Sequence, residues 1–294
     1  MARAAFIPSA EVKRLARRSD LWGWALVAHC WGTIALSLWA AIALPHPVVW
    51  AVAFVVIGSR QLGLSILMHE AAHNTLFRTR RLNDLVGHWL LSVPWGGDLP
   101  AYRAYHLKHH AHTQTDLDPD LPLSAKFPTT RASLARKFAR DLSGLTGLKL
   151  RAFQLATLFK PGHRLRMGTA WFVAVNLAAF ALFARAGLPW LYLGLWLAPL
   201  LTWYQFVLRL RNIAEHAGTS RDGDPLRTAR TTRANWLMRA LVAPYWVNHH
   251  VEHHLYMYVP CYRLAALHKR MREGGHAMEW KPGYGAVLRV ASGE

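Results

Sequence analysis

Two long stretches without charge constrain this fold more than any other feature of the sequence. Residues 21–59 contain no Asp, Glu, Lys or Arg, and residues 167–207 contain only Arg185. A helix needs about 20 apolar residues to cross the hydrocarbon core of a bilayer, so each stretch is long enough for two crossings. Pro47 interrupts the first stretch and Pro189 the second, as tight connections between helices do. The pattern predicts four spans, near residues 21–43, 48–68, 168–185 and 190–209.

Charged residues are few and lie mainly on one side of the predicted spans. They make up 17% of the 294 residues, against about a quarter in a typical soluble domain, and the formal net charge is +19. The basic residues gather before the first and third spans: Lys13, Arg14, Arg17, Arg18, Arg131, Arg136, Lys137, Arg140, Lys149, Arg151, Lys160, Arg164 and Arg166. By the positive-inside rule, the N-terminal, middle and C-terminal segments are cytoplasmic. This arrangement fits a membrane surface, and we predict no nucleic-acid partner.

These features predict an all-α integral membrane protein with one domain, residues 1–294. Four spanning helices form two hairpins in the lipid bilayer. A cytoplasmic helical cap comprises residues 69–166 and 210–294 and holds a site for two metal ions. One of the two cysteines, Cys30, lies in a predicted span and the other, Cys261, lies in the cap, so neither a disulfide framework nor a thiolate metal site is predicted.

Histidines form boxes beside the predicted spans. The first box, His69-Glu70-Ala71-Ala72-His73, ends the second span, and the i, i+4 spacing places both imidazoles on one helix face. Three further elements share helical spacing: His106, His109 and His110; Asn212 and His216; and His250, His253 and His254. An even number of predicted spans separates any two of these elements. All four therefore reach the same membrane face.

Neutral imidazole binds iron, zinc and copper well, and nine imidazoles suit two ions better than one. The predicted metal ligands are His69, His73, His106, His109, His110, His216, His250, His253 and His254, with Asn212 as a direct or water-mediated ligand. Residues beside the ligands are predicted to orient the rings or to pack against them: Glu70, Glu215, Glu252, His112 and His249.

The boxes HxxxH, HxxHH, NxxEH and HxxHH, in this order between spans, resemble those of membrane fatty acid desaturases. The resemblance covers about residues 21–270, and residues 112–120 also resemble bacterial members of the family. It implies that these histidines bind two Fe²⁺ ions, with O2 as co-substrate and no catalytic residue beyond the ligands. It also implies a bacterial inner membrane, with the active site and both termini on the cytoplasmic side.

The implied reaction introduces a double bond into an acyl or lipid-like chain. The alternative is hydroxylation or ketolation of a carotenoid or alkane, and the boxes do not separate the two because substrate placement decides the outcome. The sequence has no cysteine-rich cluster motif and no dinucleotide-binding glycine motif, so an external donor such as a ferredoxin or cytochrome is expected. The basic cytoplasmic face suits an acidic donor.

Two other functions share part of the pattern. His69 to His73 also matches HExxH, in which Glu70 is the general base of a zinc protease, but that leaves both HxxHH boxes unexplained. A histidine-rich metal transporter would carry ionisable residues along its spans, whereas these spans contain almost none. Histidines that only pack under the lipid headgroups would account for a single box, but they do not account for three boxes.

Overall fold

Four long apolar helices dominate the computed structural model, which describes residues 6–294. By length and composition they are able to cross a membrane: Asp20–Ala43, Pro47–Ala72, Arg166–Arg185 and Pro189–His216. Large apolar side chains point outward along them, as lipid contact requires; Trp39 is 63% exposed and Leu182 is 69% exposed. A mostly helical protein with four long apolar helices is therefore confirmed. The two hairpins and the cytoplasmic side of the cap stay predictions.

Most of the remaining chain forms shorter helices. In chain order the α-helices are α1 (Ser9–Leu15), α2 (Asp20–Ala43), α3 (Pro47–Ala72), α4 (Arg80–Trp89), α5 (Leu99–His112), α6 (Leu121–Ser124), α7 (Arg131–Leu142), α8 (Leu145–Ala156), α9 (Arg166–Arg185), α10 (Pro189–Tyr192), α11 (Ala198–Leu201), α12 (Trp203–His216), α13 (Trp236–Leu241), α14 (His250–Leu255), α15 (Cys261–Glu273) and α16 (Tyr284–Ala291). Single 3-10 turns cover Val93–Trp95, Thr157–Phe159 and Pro244–Trp246.

Polar side chains fix where the key helices begin. Ser19 accepts a hydrogen bond from the backbone N–H of Trp22 at the start of α2, and Asp98 accepts one from Ala101 at the start of α5, at 2.9 Å. Pro47 stands in the first turn of α3, where a missing N–H costs nothing. Helices α2 and α3, which correspond to the first and second predicted spans, begin beside these local signals, at Asp20 and Pro47.

The fourth span is not one regular helix. A widened turn covers Leu193–Leu197 between α10 and α11, and Thr202 has non-helical angles, φ −121° and ψ −86°, before α12. Pro199 explains the interruption, because proline donates no N–H and its ring clashes with the carbonyl one turn earlier. The span predicted near 190–209 is thus broken, and its last segment, α12, continues to His216.

Helix α3 lies at the centre of the protein. It packs against α2, α4, α5, α11, α12 and α13. Every residue from 57 to 73 is buried. The helix therefore delivers its last turn, with the first histidine box, to the interior rather than to the surface.

A two-stranded parallel sheet pairs β1 (Thr231–Thr232) with β2 (Trp280–Lys281). Thr231 also forms an antiparallel bridge to His249. The all-α prediction omitted this pair, because strands of two residues show no alternation of apolar and polar positions. The sheet joins the segment after α12 to the C-terminal segment, directly behind the third histidine box.

Candidate metal centre

The ends of four helices bring the histidine boxes together. His69 lies in the last turn of α3, and His73 follows that helix directly. The second box lies on α5, His216 ends α12, and the third box forms α14. Before α14 the chain turns sharply through Tyr245 and Trp246, whose positive φ angles are 55° and 58°. A positive φ angle strains the backbone of any residue with a side chain. Such strain persists only where the surrounding structure holds it, and it often marks a functional site.

Five histidines form the first group. Each offers a ring nitrogen within 4.8 Å of the others, and all five are buried: His69, His73, His106, His110 and His253. The group joins three boxes that lie far apart in sequence. In it, the Nε2 atom of His110 lies 3.0 Å from that of His106 and 3.0 Å from that of His253.

Three buried histidines form a second group: His109, His216 and His254. Each again offers a ring nitrogen within 4.8 Å of the others. The Nε2 atom of His250 lies 2.9 Å from that of His216 and 3.1 Å from that of His254, so His250 completes a set of four. The two groups touch, since the rings of His110 and His254 stack with centroids 4.2 Å apart. All nine histidines predicted as ligands thus converge.

Burial keeps these imidazoles neutral, which is the form that binds metals. Desolvation lowers the pKa of His73 to about 3. Desolvation also holds the pKa well below the ordinary histidine value for His106, His250, His253 and His254. Neighbouring imidazoles lower the pKa values further, because two positive rings cannot share so small a volume.

Several buried ring nitrogens have no hydrogen-bond partner among the described residues: Nδ1 and Nε2 of His69, Nε2 of His73 and Nδ1 of His250. Leaving such an atom unpaired costs about 1–3 kcal/mol. Elsewhere in the two groups, Nε2 atoms face one another, although two neutral acceptors gain nothing from that contact. A donor set of neutral nitrogens converging in this way fits a pair of first-row transition-metal ions.

The three predicted orienting glutamates have different contacts. Glu70 lies 3.5 Å from Nδ1 of His69, and its other oxygen accepts hydrogen bonds from Thr75 and from the backbone N–H of Cys261. Glu70 therefore links the end of α3 to the start of α15. Such a link fixes one ligand ring relative to the cap.

Glu215 lies 3.5 Å from Nδ1 of His250 and accepts a hydrogen bond of 2.6 Å from Arg211. Glu252 instead accepts hydrogen bonds from Thr231, at 2.5 Å, and from His268. It faces away from the two histidine groups and forms a third set with His249 and His268. Glu215 thus borders a predicted ligand, whereas Glu252 anchors α14 from behind.

The remaining predicted residues lie beside the groups. Asn212 is half-buried and lines a cavity together with His216 and His250, which is compatible with a direct or water-mediated contact. His112 is half-buried and lines a second cavity on the other side of the groups. His249 is buried against His268, and desolvation lowers the pKa of His249 to about 4.

Several contacts of the ligand rings were missed from the sequence. Asp118 accepts a hydrogen bond from Nδ1 of His109 at 2.8 Å, and it also accepts from the backbone of Gln114 and Asp120. Asp118 thus forms a turn, and the same carboxylate fixes the His109 ring. Its distance of nine residues from His109 gave no periodic signal.

Other partners come from residues without a motif. The backbone carbonyl of Thr228 lies 3.1 Å from Nδ1 of His216, and the Thr113 hydroxyl lies 3.2 Å from Nδ1 of His254. The Tyr102 ring stacks on His106 with centroids 5.1 Å apart. A backbone carbonyl carries no side-chain information, so the contact of Thr228 had no sequence signal at all.

Two cavities reach the histidines from opposite sides. A polar cavity of about 250 Å³ contacts both groups and is bordered by Tyr102, Tyr105, Leu208 and Asn212. A larger, mainly apolar cavity of about 810 Å³ lies under α1 and reaches His110 and His254. The centre is therefore enclosed by protein, yet it is accessible to small and chain-like molecules.

Comparison with known proteins identifies the family. The family described as Fatty acid desaturase matches residues 45–282. The chain is 26% identical to a beta-carotene ketolase of Paracoccus sp. (strain PC1), covering 86% of this chain and 92% of the relative. It is 27% identical to an sn-1 oleoyl-lipid 12-desaturase of Synechocystis sp., covering 85% and 76%. It is also 24% identical to a dihydrorhizobitoxine desaturase of Bradyrhizobium elkanii, covering 86% and 74%.

The match spans the four helix ends that carry the histidines, and the relatives are desaturases and ketolases. Both classes oxidise C–H bonds. The chain therefore belongs to the fatty acid desaturase family and is an oxidoreductase that acts on C–H bonds.

Proposed function

We propose that the protein is an O2-dependent di-iron desaturase, which introduces a double bond into an acyl or lipid-like chain. The observation that carries the proposal is the convergence of nine buried histidines in two touching groups. A zinc protease needs two of these histidines and a glutamate that faces open space, whereas Glu70 is buried and used twice as a hydrogen-bond acceptor. The protease alternative therefore leaves most of the centre without a role.

The first group would hold one ion and the second group, with His250, the other. Asn212 borders the second group and would bind its ion directly or through water. When bound, two ferrous ions supply O2-dependent removal of hydrogen from an unactivated C–H bond. This assignment uses every residue predicted as a ligand and leaves the glutamates to orient the rings.

The chain's own residues supply orientation and exclusion of water. Asp118, the Thr228 carbonyl and Thr113 each fix one ring of the second group, so that its Nε2 points to the interior. Tyr102 covers His106 on the side of the polar cavity. A chain that enters this cavity lies beside both groups, and placement within about 1 Å decides which hydrogens are lost.

The membrane arrangement follows from the same proposal. The four spans form two hairpins, and the histidine centre, the cap and both termini face the cytoplasm of a bacterial inner membrane. Exposed basic residues on α7, such as Arg136 and Arg140, lie in the proposed cytoplasmic segment. A soluble, acidic ferredoxin or cytochrome on that side would deliver the two electrons that each turnover needs.

Ketolation is the second candidate. The beta-carotene ketolase of Paracoccus sp. (strain PC1) aligns over 92% of its own length, so the two proteins have nearly the same extent. The reaction would then hydroxylate the same ring carbon twice, each time with one O2 and two electrons from the donor, and loss of water from the resulting diol would leave the ketone. The histidine arrangement serves both reactions equally well.

The decisive experiment expresses the protein with a competent electron donor and compares the masses of lipids and isoprenoids with those from a His253→Ala variant. Products lacking two hydrogens support desaturation, and products that gain one oxygen support hydroxylation or ketolation. We expect about two irons per chain in the wild type and a loss of both iron and product in the variant.

His46→Asn provides the matched control. His46 is an exposed histidine that caps α3 at the end far from the centre, and asparagine keeps the capping function. This variant should retain iron and product. An iron-free wild-type protein with unchanged product formation would refute the di-iron proposal.

A further inference from the structure

A third cavity, of about 570 Å³, lies where the cap meets the start of α9. Its walls come from the beginning of α5, from α8 and from the loop that precedes α9. Because α9 is one of the four spanning helices, this loop lies at the level of the lipid headgroups when the helix crosses a bilayer. The cavity is therefore interfacial, unlike the two that reach the histidines directly.

The cavity wall carries four basic side chains and one acidic side chain. The basic residues are Arg151, Lys160, His163 and Arg164, and the acid is Asp98. Asp98 is already engaged, since it caps α5 through Ala101 and its other oxygen lies against Gly168. The side chains of Lys160 and Arg164 make no hydrogen bond or ion pair with any described residue and are exposed. The site thus has an excess of positive charge that the protein does not neutralise.

Arg151 adds a buried donor. Its Nη1 donates to the Trp95 carbonyl at 3.2 Å and to Gln154, and its guanidinium lies 5.4 Å from the centre of the Phe172 ring. Its Nε atom is buried and has no hydrogen-bond partner among the described residues. Arg151 thus borders the cavity as a largely buried cation that forms no ion pair with a carboxylate of the described residues.

Two tyrosines form a wall between this cavity and the cavity at the histidine centre. Tyr102 and Tyr105 line both the basic cavity and the polar cavity of about 250 Å³ that contacts both histidine groups. Tyr102 stacks on His106, and the Tyr105 hydroxyl hydrogen-bonds to the Pro119 carbonyl at 3.1 Å. A head bound among the cations is therefore separated from the proposed ligands only by this wall, and an acyl chain attached to it lies close to the histidine centre.

We infer that the basic cavity binds the anionic head of the substrate, a phosphate or carboxylate attached to an acyl chain. This inference rests on the proposed function, because it assumes that the chain is oxidised beside the histidines. It favours an anionic lipid over a neutral carotenoid, which would bring nothing to pair with Lys160 or Arg164. It also assigns a specific role to basic residues that otherwise only mark the cytoplasmic side.

The test measures binding rather than turnover. Purified full-length protein in neutral detergent micelles is titrated with two probes that share one acyl chain, oleoyl lysophosphatidic acid and monooleoylglycerol. Each Lys or Arg near a lipid phosphate contributes a factor of about five, so Lys160 and Arg164 together predict a preference of about 30-fold for the anionic probe. The double variant Lys160→Ala/Arg164→Ala should reduce this preference to about threefold or less.

Arg136→Ala/Arg140→Ala is the matched control, because it removes the same charge from exposed positions of α7 that lie outside the cavity. It should keep the full preference. An equal loss in both double variants, or equal binding of the two probes by the wild type, would refute the site. Inorganic phosphate should compete weakly, and if it binds as tightly as the lipid, the cavity takes free phosphate and the inference is wrong.

The outcome is independent of the oxidation reaction. Binding requires neither an electron donor nor O2, so a protein without product can still show the preference for the anionic probe. Conversely, product formation from a neutral lipid, together with equal binding of the two probes by the wild type, would support the oxidation and refute the headgroup site.

Discussion

Helices α3 and α9 have almost the same hydropathy but occupy very different surroundings. Their most apolar windows have mean hydropathies of 1.7 and 1.8. Yet 72% of that window is buried inside the protein for α3, against 17% for α9. One helix is the core of the protein, and the other faces the space that lipid would fill.

The difference shows that hydropathy predicts a crossing but not its neighbours. Lipid and a protein core are equally apolar solvents for leucine, so composition alone does not separate them. The buried polar residues do separate them: α3 holds Ser59, Arg60, Gln61 and Ser65 away from solvent. These residues and the two histidines at its end indicate that α3 serves the site, while α9 packs against α10 and the 3-10 turns Val93–Trp95 and Thr157–Phe159.

The largest expected effect concerns metal at the end of α3. Ligands that bind only the folded state stabilise it, by about 4 kcal/mol at a free concentration 1,000 times the dissociation constant. Removing metal with a chelator should therefore lower the unfolding temperature of the wild type strongly. The variant His69→Ala/His73→Ala should be insensitive to the chelator, while Leu182→Ala on α9 should respond like the wild type. Thermal unfolding with and without chelator measures this, and equal responses of all three proteins would contradict the proposed centre.

The next effect compares two leucines. Leu67 on α3 is fully buried, whereas Leu182 on α9 is 69% exposed. Leu67→Ala should lower the free energy of unfolding by about 3 kcal/mol, because it leaves a cavity in the core. Leu182→Ala should change it by about 0.5 kcal/mol or less. Unfolding in mild detergent, followed by helical circular dichroism, gives both values, and similar losses would mean that α9 is buried by a partner.

Much of the fold and the grouping of the histidines was predictable, because each rests on a local pattern. Uncharged stretches marked the four spans, and helical spacing marked the boxes. The central position of α3 was not predictable, since it depends on contacts among elements distant in sequence. The role of Asp118 was not predictable either. Its carboxylate both forms the turn and fixes His109, and a turn signal alone does not reveal the second contact. The widened turn at Leu193–Leu197 was also missed, although Pro199 gave a local signal for it.

Two arginines sharpen the comparison further. Arg60 is buried on α3, donates to the Ala240 carbonyl and lies 5.8 Å from the centre of the Tyr245 ring. Arg185 is exposed at the end of α9. Arg60→Met should cost about 2 kcal/mol, because the carbonyl loses its donor and α13 loses its link to α3. Arg185→Met should leave unfolding unchanged. If the two variants are equally stable, the contacts of Arg60 only offset the cost of burying its charge.

The smallest effect concerns glycines on the inner and outer sides of the spans. A Cβ atom added at Gly58 on α3 would lie 2.8 Å from Cδ1 of Trp203, whereas one added at Gly32 on α2 would have nothing within 4 Å. Gly58→Ala should cost about 1 kcal/mol, because overpacking of about 2 kcal/mol exceeds the gain in helix propensity of about 1 kcal/mol. Gly32→Ala should retain that gain and stabilise the protein. Opposite shifts in unfolding temperature are expected, and shifts of the same sign would show that α3 has room at Trp203 and is less tightly packed than its burial indicates.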